Sequence, residues 1–317
     1  ARLVRDQLSR SDLFHVHSVF TYPAHVALKL AAAAGKPVVL SPHGMLHRRR
    51  LVRSALRKRA YLNLWGGVVR RACTAWHYTS DNESAGSWPW DNNRRFVLGL
   101  GIDPEGFALD RDQARRAVAR RWPQLGDSPY VLYLGRIHPL KRPDLLLAAF
   151  LAGAPPRYKL AVAGPDEVGL WGELAARHLR APGAADRVVY LGTVVGHEKR
   201  ELLAGARLFA LPSEHENFGV TVLEAIGAGT PVLASEHVDM ARTAAAAGFA
   251  DVLPLDLVLW RDRLTRLLSE EAVSAQWVEA ARRWVREEFT WRRVVERMSD
   301  QYAWVLAGCV ASKAIDN

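Results

Sequence analysis

Leu208-Phe209-Ala210-Leu211-Pro212-Ser213-Glu214-His215-Glu216-Asn217-Phe218-Gly219-Val220-Thr221-Val222-Leu223-Glu224-Ala225 is the stretch on which the fold and the chemistry of this sequence turn. The apolar run up to Leu211 predicts a buried strand, and the pattern from Gly219 onward predicts a helix. Glu216 would then sit at the mouth of the helix, with Glu224 about a turn and a half inside it. A helix N-terminus presents unpaired backbone N–H groups and a partial positive charge, which favour phosphate. Carboxylates beside such a site suit hydroxyl groups on the same ligand. An ordinary strand–loop–helix with two solvated glutamates satisfies the spacing equally well, so the surroundings must decide.

Those surroundings are regular. From Tyr130, short apolar runs alternate with helical stretches: Tyr130–Leu134, Tyr158–Ala163, Val188–Leu191, Leu208–Leu211 and Val232–Ala234, with helices starting near Pro143, Gly169, Glu198 and Gly219. Such alternation predicts βαβ units and a parallel sheet covered on both faces. The first of these strands runs into Gly135-Arg136-Ile137-His138-Pro139-Leu140-Lys141-Arg142-Pro143. Gly135 permits a tight turn and Pro143 suits the first helical position. Arg136 and Lys141 would leave the carboxyl end of a strand on the same sheet edge as Glu216, where two cations could hold a diphosphate and stabilise it as a leaving group. A surface Arg/Lys pair is the alternative.

The preceding half contains its own strands at Asp12–His17, Pro37–Leu40, Ala75–Ser80 and Phe96–Leu98. His43 follows the second of them, where parallel sheets place binding residues, although a lone histidine there can equally be structural. The cluster Gly99-Leu100-Gly101-Ile102-Asp103-Pro104 marks a turn and a domain boundary. The expected division is residues 1–104, residues 105–288, and a closing helix over 289–317 that crosses back to the first domain.

Composition sets outer bounds. With 317 residues, 49% hydrophobic and 24% charged, the chain can build two globular α/β domains. Two distant cysteines, Cys73 and Cys309, fit a reducing, cytoplasmic setting. No apolar run reaches the ~18–20 residues of a membrane span. The net charge of +10 is concentrated in the acid-free interval between Asp12 and Asp81, which holds eleven basic residues. Within it, residues 46–71 read as an amphipathic helix with Leu51, Leu56, Tyr61, Leu62, Leu64 and Val68 on one face. That pattern suits an anionic membrane surface or a solvated helical face. Aromatic residues are too sparse among the charges to indicate nucleic acid.

Taken together, Gly135-Arg136…Lys141, Ala163-Gly164-Pro165-Asp166, Pro212-Ser213…Glu216-Asn217-Phe218-Gly219 and Glu224-Ala225…Gly229-Thr230-Pro231-Val232 resemble the GT4 family of retaining glycosyltransferases of GT-B fold. His15-Val16-His17, Ser41-Pro42-His43-Gly44-Met45, Thr79-Ser80, Gly101-Ile102-Asp103 and Phe289-Thr290-Trp291 resemble other parts of it. The resemblance implies two Rossmann-like doubly wound domains facing a cleft, with the N-terminal one incomplete here. Roughly several tens of residues, including the family's first strand and glycine-rich turn, are expected upstream of Ala1.

It further implies a UDP- or GDP-sugar donor without a metal. Gly135, Arg136 and Lys141 would lie at the diphosphate, and Glu216 at the hydroxyls of the transferred sugar. Backbone N–H groups of Asn217, Phe218, Gly219 and Val220 would lie nearby, with Glu224 on the ribose and His43 on the sugar from the other domain. The implied acceptor is a polysaccharide or lipid-linked glycan, the implied place the cytoplasmic face of a membrane. The linker Leu98–Asp103 lacks the family's usual Pro-Asn-Gly, which leaves the hinge geometry open. A nucleotide-sugar epimerase or a silent partner subunit of the same build are the competing readings.

Overall fold

Short apolar segments bounded by glycine and proline pair as parallel strands in two separate sheets. The computed structural model describes residues 2–51, 55–88 and 94–315. Two units result, one of Ala1–Leu100 with Arg292–Asn317, the other of Gly101–Trp291.

In the first unit the strands are β1 (Phe14–His17), β2 (Val38–Ser41), β3 (Ala75–Tyr78) and β4 (Arg95–Val97), in that spatial order. Side chains of β2 alternate between two cores. Val38 and Leu40 pack with Leu28, Val69 and Trp76, whereas Val39 packs with Ala75, Phe96, Val294 and Val305. A strand buried on both faces needs apolar residues at every position, which is why Val38-Val39-Leu40 is a continuous run. The second core includes the helix Trp291–Ile315, so the chain's last segment belongs to this unit.

The second unit is built on β5 (Tyr130–Leu134), β6 (Lys159–Ala163), β7 (Val188–Gly192), β8 (Leu208–Leu211), β9 (Val232–Ser235) and β10 (Ala250–Leu253), ordered β10-β9-β8-β5-β6-β7 and parallel throughout. Strand order reverses between β5 and β8. Ligands of open α/β sheets bind at such a switch point, beyond the carboxyl ends of the strands. The loops after β5 and β8, which carry Lys141 and Glu216, meet there.

The structure corrects three expectations. The boundary falls at 100/101 rather than after 104, and the return at 291/292 rather than at 289. The reason is local: the Ile102 N–H donates to the Phe289 carbonyl at 2.8 Å and Ile102 forms a parallel bridge with Thr290, which ties both segments into the second unit. β10 was not anticipated, because Asp251 interrupts its apolar run; the carboxylate is held by Arg263 at 2.8 Å. The basic segment forms the helices Arg48–Leu51 and Ala55–Ala72. Its apolar residues do not share a face: Tyr61 and Leu62 pack on the first core, whereas Leu56 is 84% and Leu64 74% exposed. Arg53 and the side chains of Arg49 and Arg50 lie outside the described residues. Among the described residues, no helix is long and apolar enough to cross a membrane.

Candidate active site

The loop after β5 is fixed by backbone bonds before any charge is considered. The Gly135 N–H donates to Ala163 at 3.0 Å, the Gly164 N–H to Gly192 at 2.7 Å, and the Ile137 N–H to Pro165 at 2.9 Å. The ends of β5, β6 and β7 therefore stack through three glycines. Gly164 has φ +142°, and a Cβ placed there would lie 1.9 Å from the Gly135 carbonyl oxygen. Only glycine allows that approach. Farther along, the Leu140 N–H donates to the His138 ring, opening a single 3-10 turn over Pro139–Lys141. Arg142 follows in the left-handed region with φ +48°, an uncommon conformation for a side-chain-bearing residue and one that clusters at functional sites.

This turn is knitted to the loop after β8. The Glu214 N–H donates to Leu140 at 2.8 Å, and Arg142 pairs with both Asp144 at 3.0 Å and Glu214 at 3.3 Å. Lys141 forms an ion pair with Glu216 and donates to the His215 carbonyl at 3.1 Å. With side chains only 13% and 20% exposed, Lys141 and Glu216 are screened much less than surface charges. Burial raises the phenol of Tyr133 above its usual range, and the nearby Glu216 carboxylate adds to it.

Glycine again sets the mouth of the next helix. Gly219 has φ +96° and precedes the helix Val220–Gly227, where no side chain caps the N-terminus. The Phe218 carbonyl accepts from Met240 at 3.1 Å, so the approach is anchored from behind. Glu224 is 7% exposed within this helix. One of its oxygens meets Lys199 at 2.7 Å, and Oε2 is buried with no partner among the described residues. A buried carboxylate oxygen left without a donor is costly. Hydroxyls of a bound ligand would satisfy it.

Thus Lys141, Glu216 and the Asn217–Val220 segment come together, with Glu224 along the same helix. Arg136 does not join the Lys141–Glu216 pair; it lies 3.8 Å from Glu167 with both side chains largely exposed. Sequence reasoning missed Lys199, Arg142 and Glu214. The Lys199–Glu224 and Arg142–Glu214 pairs join residues far apart in sequence, and no local spacing marks them.

In the first unit, His43 occupies a left-handed turn at φ +49°, followed by Gly44 at φ +71°. The brace is Glu83, only 2% exposed. Its carboxylate accepts the Gly44 N–H, the Thr79 N–H at 2.8 Å and the Thr79 hydroxyl at 2.7 Å, joining the turn after β2 to the end of β3. Glu83 was likewise not singled out from sequence. His43 Nε2 lies 2.8 Å from His17 Nδ1, with the two rings stacked at 9°.

Comparison with known proteins gives a consistent picture. The profile of the family described as Glycosyl transferases group 1 matches residues 115–284. The D-inositol 3-phosphate glycosyltransferase of Salinispora tropica is 36% identical over 234 residues, covering 68% of this chain and 47% of that protein. Its namesake in Frankia alni is 37% identical over 193 residues, covering 57% and 46%. The chain spans about half the length of the curated relatives it matches. Among solved structures, sucrose-phosphate synthase from Thermosynechococcus elongatus superposes with a TM-score of 0.77 at 20% identity, covering 97% of this chain and 78% of that one. Anabaena Alr3699/HepE in complex with UDP-glucose gives 0.76 at 18% identity, covering 95% and 81%. At those identities the likeness is one of fold.

Proposed function

Because this chain belongs to the group 1 glycosyl transferases, with the two parallel sheets of the GT-B fold, we propose that it transfers a sugar from a nucleoside-diphosphate donor with retention of configuration. The observation that carries this reading is the junction of Lys141, Glu216 and the Gly219 helix mouth at the switch point of the second sheet. In the proposal, Lys141 exchanges part of its contact with Glu216 for the donor's diphosphate, and Arg136 turns from Glu167 to the same group. Two cations there stabilise negative charge as the nucleoside diphosphate departs. The N–H groups of Asn217 to Val220 add the helix-terminal anion site. Glu216, released, accepts from hydroxyls of the transferred sugar, and the unsatisfied Oε2 of Glu224 accepts from the ribose. His43 is likewise proposed to take part in the transfer.

UDP-sugars are the donors to test first, since a protein of the same fold was solved with UDP-glucose. Two acceptor classes follow from different evidence: a polysaccharide or lipid-linked glycan from the family resemblance, and D-inositol 3-phosphate from the names of the curated relatives. A screen of UDP- and GDP-sugars, with each acceptor and with water alone, tests the function. Release of nucleoside diphosphate from at least one donor is expected. Epimerised donor without release would instead establish the epimerase reading.

We also infer that the Ala55–Ala72 helix rests on an anionic bilayer at the cytoplasmic side. Leu56 and Leu64 are exposed on this helix, as are Arg57, Arg59, Arg70 and Arg71, so it offers both apolar and basic side chains to a surface. Each basic residue near such a surface contributes about 1 kcal/mol. Replacing these four arginines by glutamine should lower co-sedimentation with phosphatidylserine vesicles by at least about tenfold, and Leu56→Ser with Leu64→Ser should lower it at high salt as well. Unchanged binding in both variants would reduce the helix to a solvated face.

A further inference from the structure

Glu224 is a buried carboxylate whose two oxygens keep unequal company. Oε1 accepts from Lys199 Nζ at 2.7 Å, whereas Oε2 is buried with no partner among the described residues. The side chain of Glu224 is 9% exposed and that of Lys199 27%. An ion pair kept only for stability gains little from burial unless its remaining lone pairs are also satisfied. Half of this carboxylate is satisfied. The orphaned oxygen points to a ligand, and the lysine decides which oxygen is left over.

Lysine is a poor clamp unless something stiffens it, because its ammonium sits on a flexible stem whose ordering costs conformational entropy. Here the support is Phe107. Lys199 leaves the helix Gly196–Gly205, and its Nζ lies 5.7 Å from the centre of the Phe107 ring, within cation–π reach. Phe107 is 6% exposed and ends the 3-10 turn Pro104–Phe107. The same residue backs the helix of Glu224: a Cβ placed on Gly227 would lie 3.8 Å from Phe107 Cβ and 3.5 Å from the Ile102 side chain. Phe107 thus braces both the helix that supplies the lysine and the helix that supplies the carboxylate.

We propose that Lys199, braced by Phe107, is a positioning residue for the nucleotide. By holding Oε1 it reserves Oε2 of Glu224 for the ribose hydroxyls, and so makes the site select ribonucleoside over deoxyribonucleoside diphosphates. Without Lys199 the carboxylate is free to rotate, and neither oxygen is reserved. The inference rests on the donor reading above, in which Glu224 meets the ribose. Lys199, Phe107 and Glu224 all belong to the second unit.

Thermal melting tests the pair without any nucleotide. Lys199→Met leaves the buried Glu224 carboxylate without its cation, so the melting temperature should fall by about 5 °C. Adding Glu224→Gln should recover most of that loss, since an amide needs no counter-charge. Calorimetry then compares UDP or GDP, whichever binds, with its dideoxy counterpart, which lacks both ribose hydroxyls. The unaltered protein should favour the ribonucleotide about 10–100-fold, as expected for hydrogen bonds to a charged group. In Lys199→Met that preference should largely vanish while affinity for the dideoxynucleotide stays unchanged. Lys199→Arg, which restores a cation, should recover part of it. Phe107→Leu, which keeps apolar bulk but not the ring, should lower it about two- to fivefold. Equal weakening of both nucleotides in Lys199→Met would mean a merely structural role and overturn the positioning assignment. So would a preference that survives Lys199→Met, or independent effects of Lys199→Met and Glu224→Gln on melting. No preference in the unaltered protein would remove Glu224 from the ribose, and binding of neither UDP nor GDP would remove the donor reading. The proposal falls with either, while the melting cycle still decides whether Lys199 holds Glu224.

Discussion

Glu216→Gln and Lys141→Ala should each lower nucleotide-sugar turnover by a factor of about 10²–10³, the cost of removing one charged stabiliser from a transition state. The two losses should differ in kind. On the proposed reading, Lys141→Ala removes a cation from the leaving diphosphate, so kcat and donor affinity should both fall. Glu216→Gln keeps the shape of the side chain and the diphosphate contacts, so kcat falls while UDP alone binds nearly as before. The pair itself is partly buried, which makes a lone survivor unfavourable. Yet both side chains retain some contact with water, 13% and 20% exposed, so melting temperature should move by a few degrees at most. Full turnover in both variants would remove this pair from the reaction.

Gly164→Ala should be the most damaging single change in the second unit. A methyl group at this position would overlap the Gly135 carbonyl, 1.9 Å away, at a φ of +142° that alanine rarely adopts. Neither atom can yield alone, because Gly135 is bonded to Ala163 and Gly164 to Gly192, with Tyr190 donating to the Gly164 carbonyl at 2.9 Å. Strain and overpacking together cost roughly 3–5 kcal/mol, which corresponds to a melting temperature lower by about 10 °C. Displacement of the β5 loop would also move Arg136 and Lys141, so turnover should fall below what unfolding accounts for. Gly172→Ala is the matched control. Nothing lies within 4 Å of its added methyl, and the site is inside the helix Leu170–His178. It should be neutral or slightly stabilising. A Gly164→Ala protein that melts like Gly172→Ala would show that the glycine stack is not under constraint.

How much could be read from the chain alone follows from the range of each interaction. Strands such as Tyr130–Leu134 and Leu208–Leu211 are legible because a doubly covered parallel strand must be apolar at every position. The helix after Gly219 is legible because a left-handed glycine and an apolar pattern are both local signals. Lys141 and Glu216 could be placed on one sheet edge by topology, but not that they meet. Nor could the pairing of Lys199 with Glu224, 25 positions apart, or the grip of Glu83 on the His43 turn, 39 positions away. These contacts depend on which helix covers which strand, and residue type carries no trace of it. The face of the Ala55–Ala72 helix shows the same limit: leucines 56 and 64 and residues 61 and 62 look alike in sequence, yet only the latter two meet the core.

Calorimetric titration of the protein with UDP and with GDP tests most directly whether the second unit is a nucleoside-diphosphate site. One of the two should bind, and Lys141→Ala should weaken it by about 10–100-fold, as expected for a lost hydrogen bond to a charged group. A folded protein that binds neither would contradict the assignment of Lys141, Glu224 and the Gly219 helix mouth to a nucleotide-sugar donor.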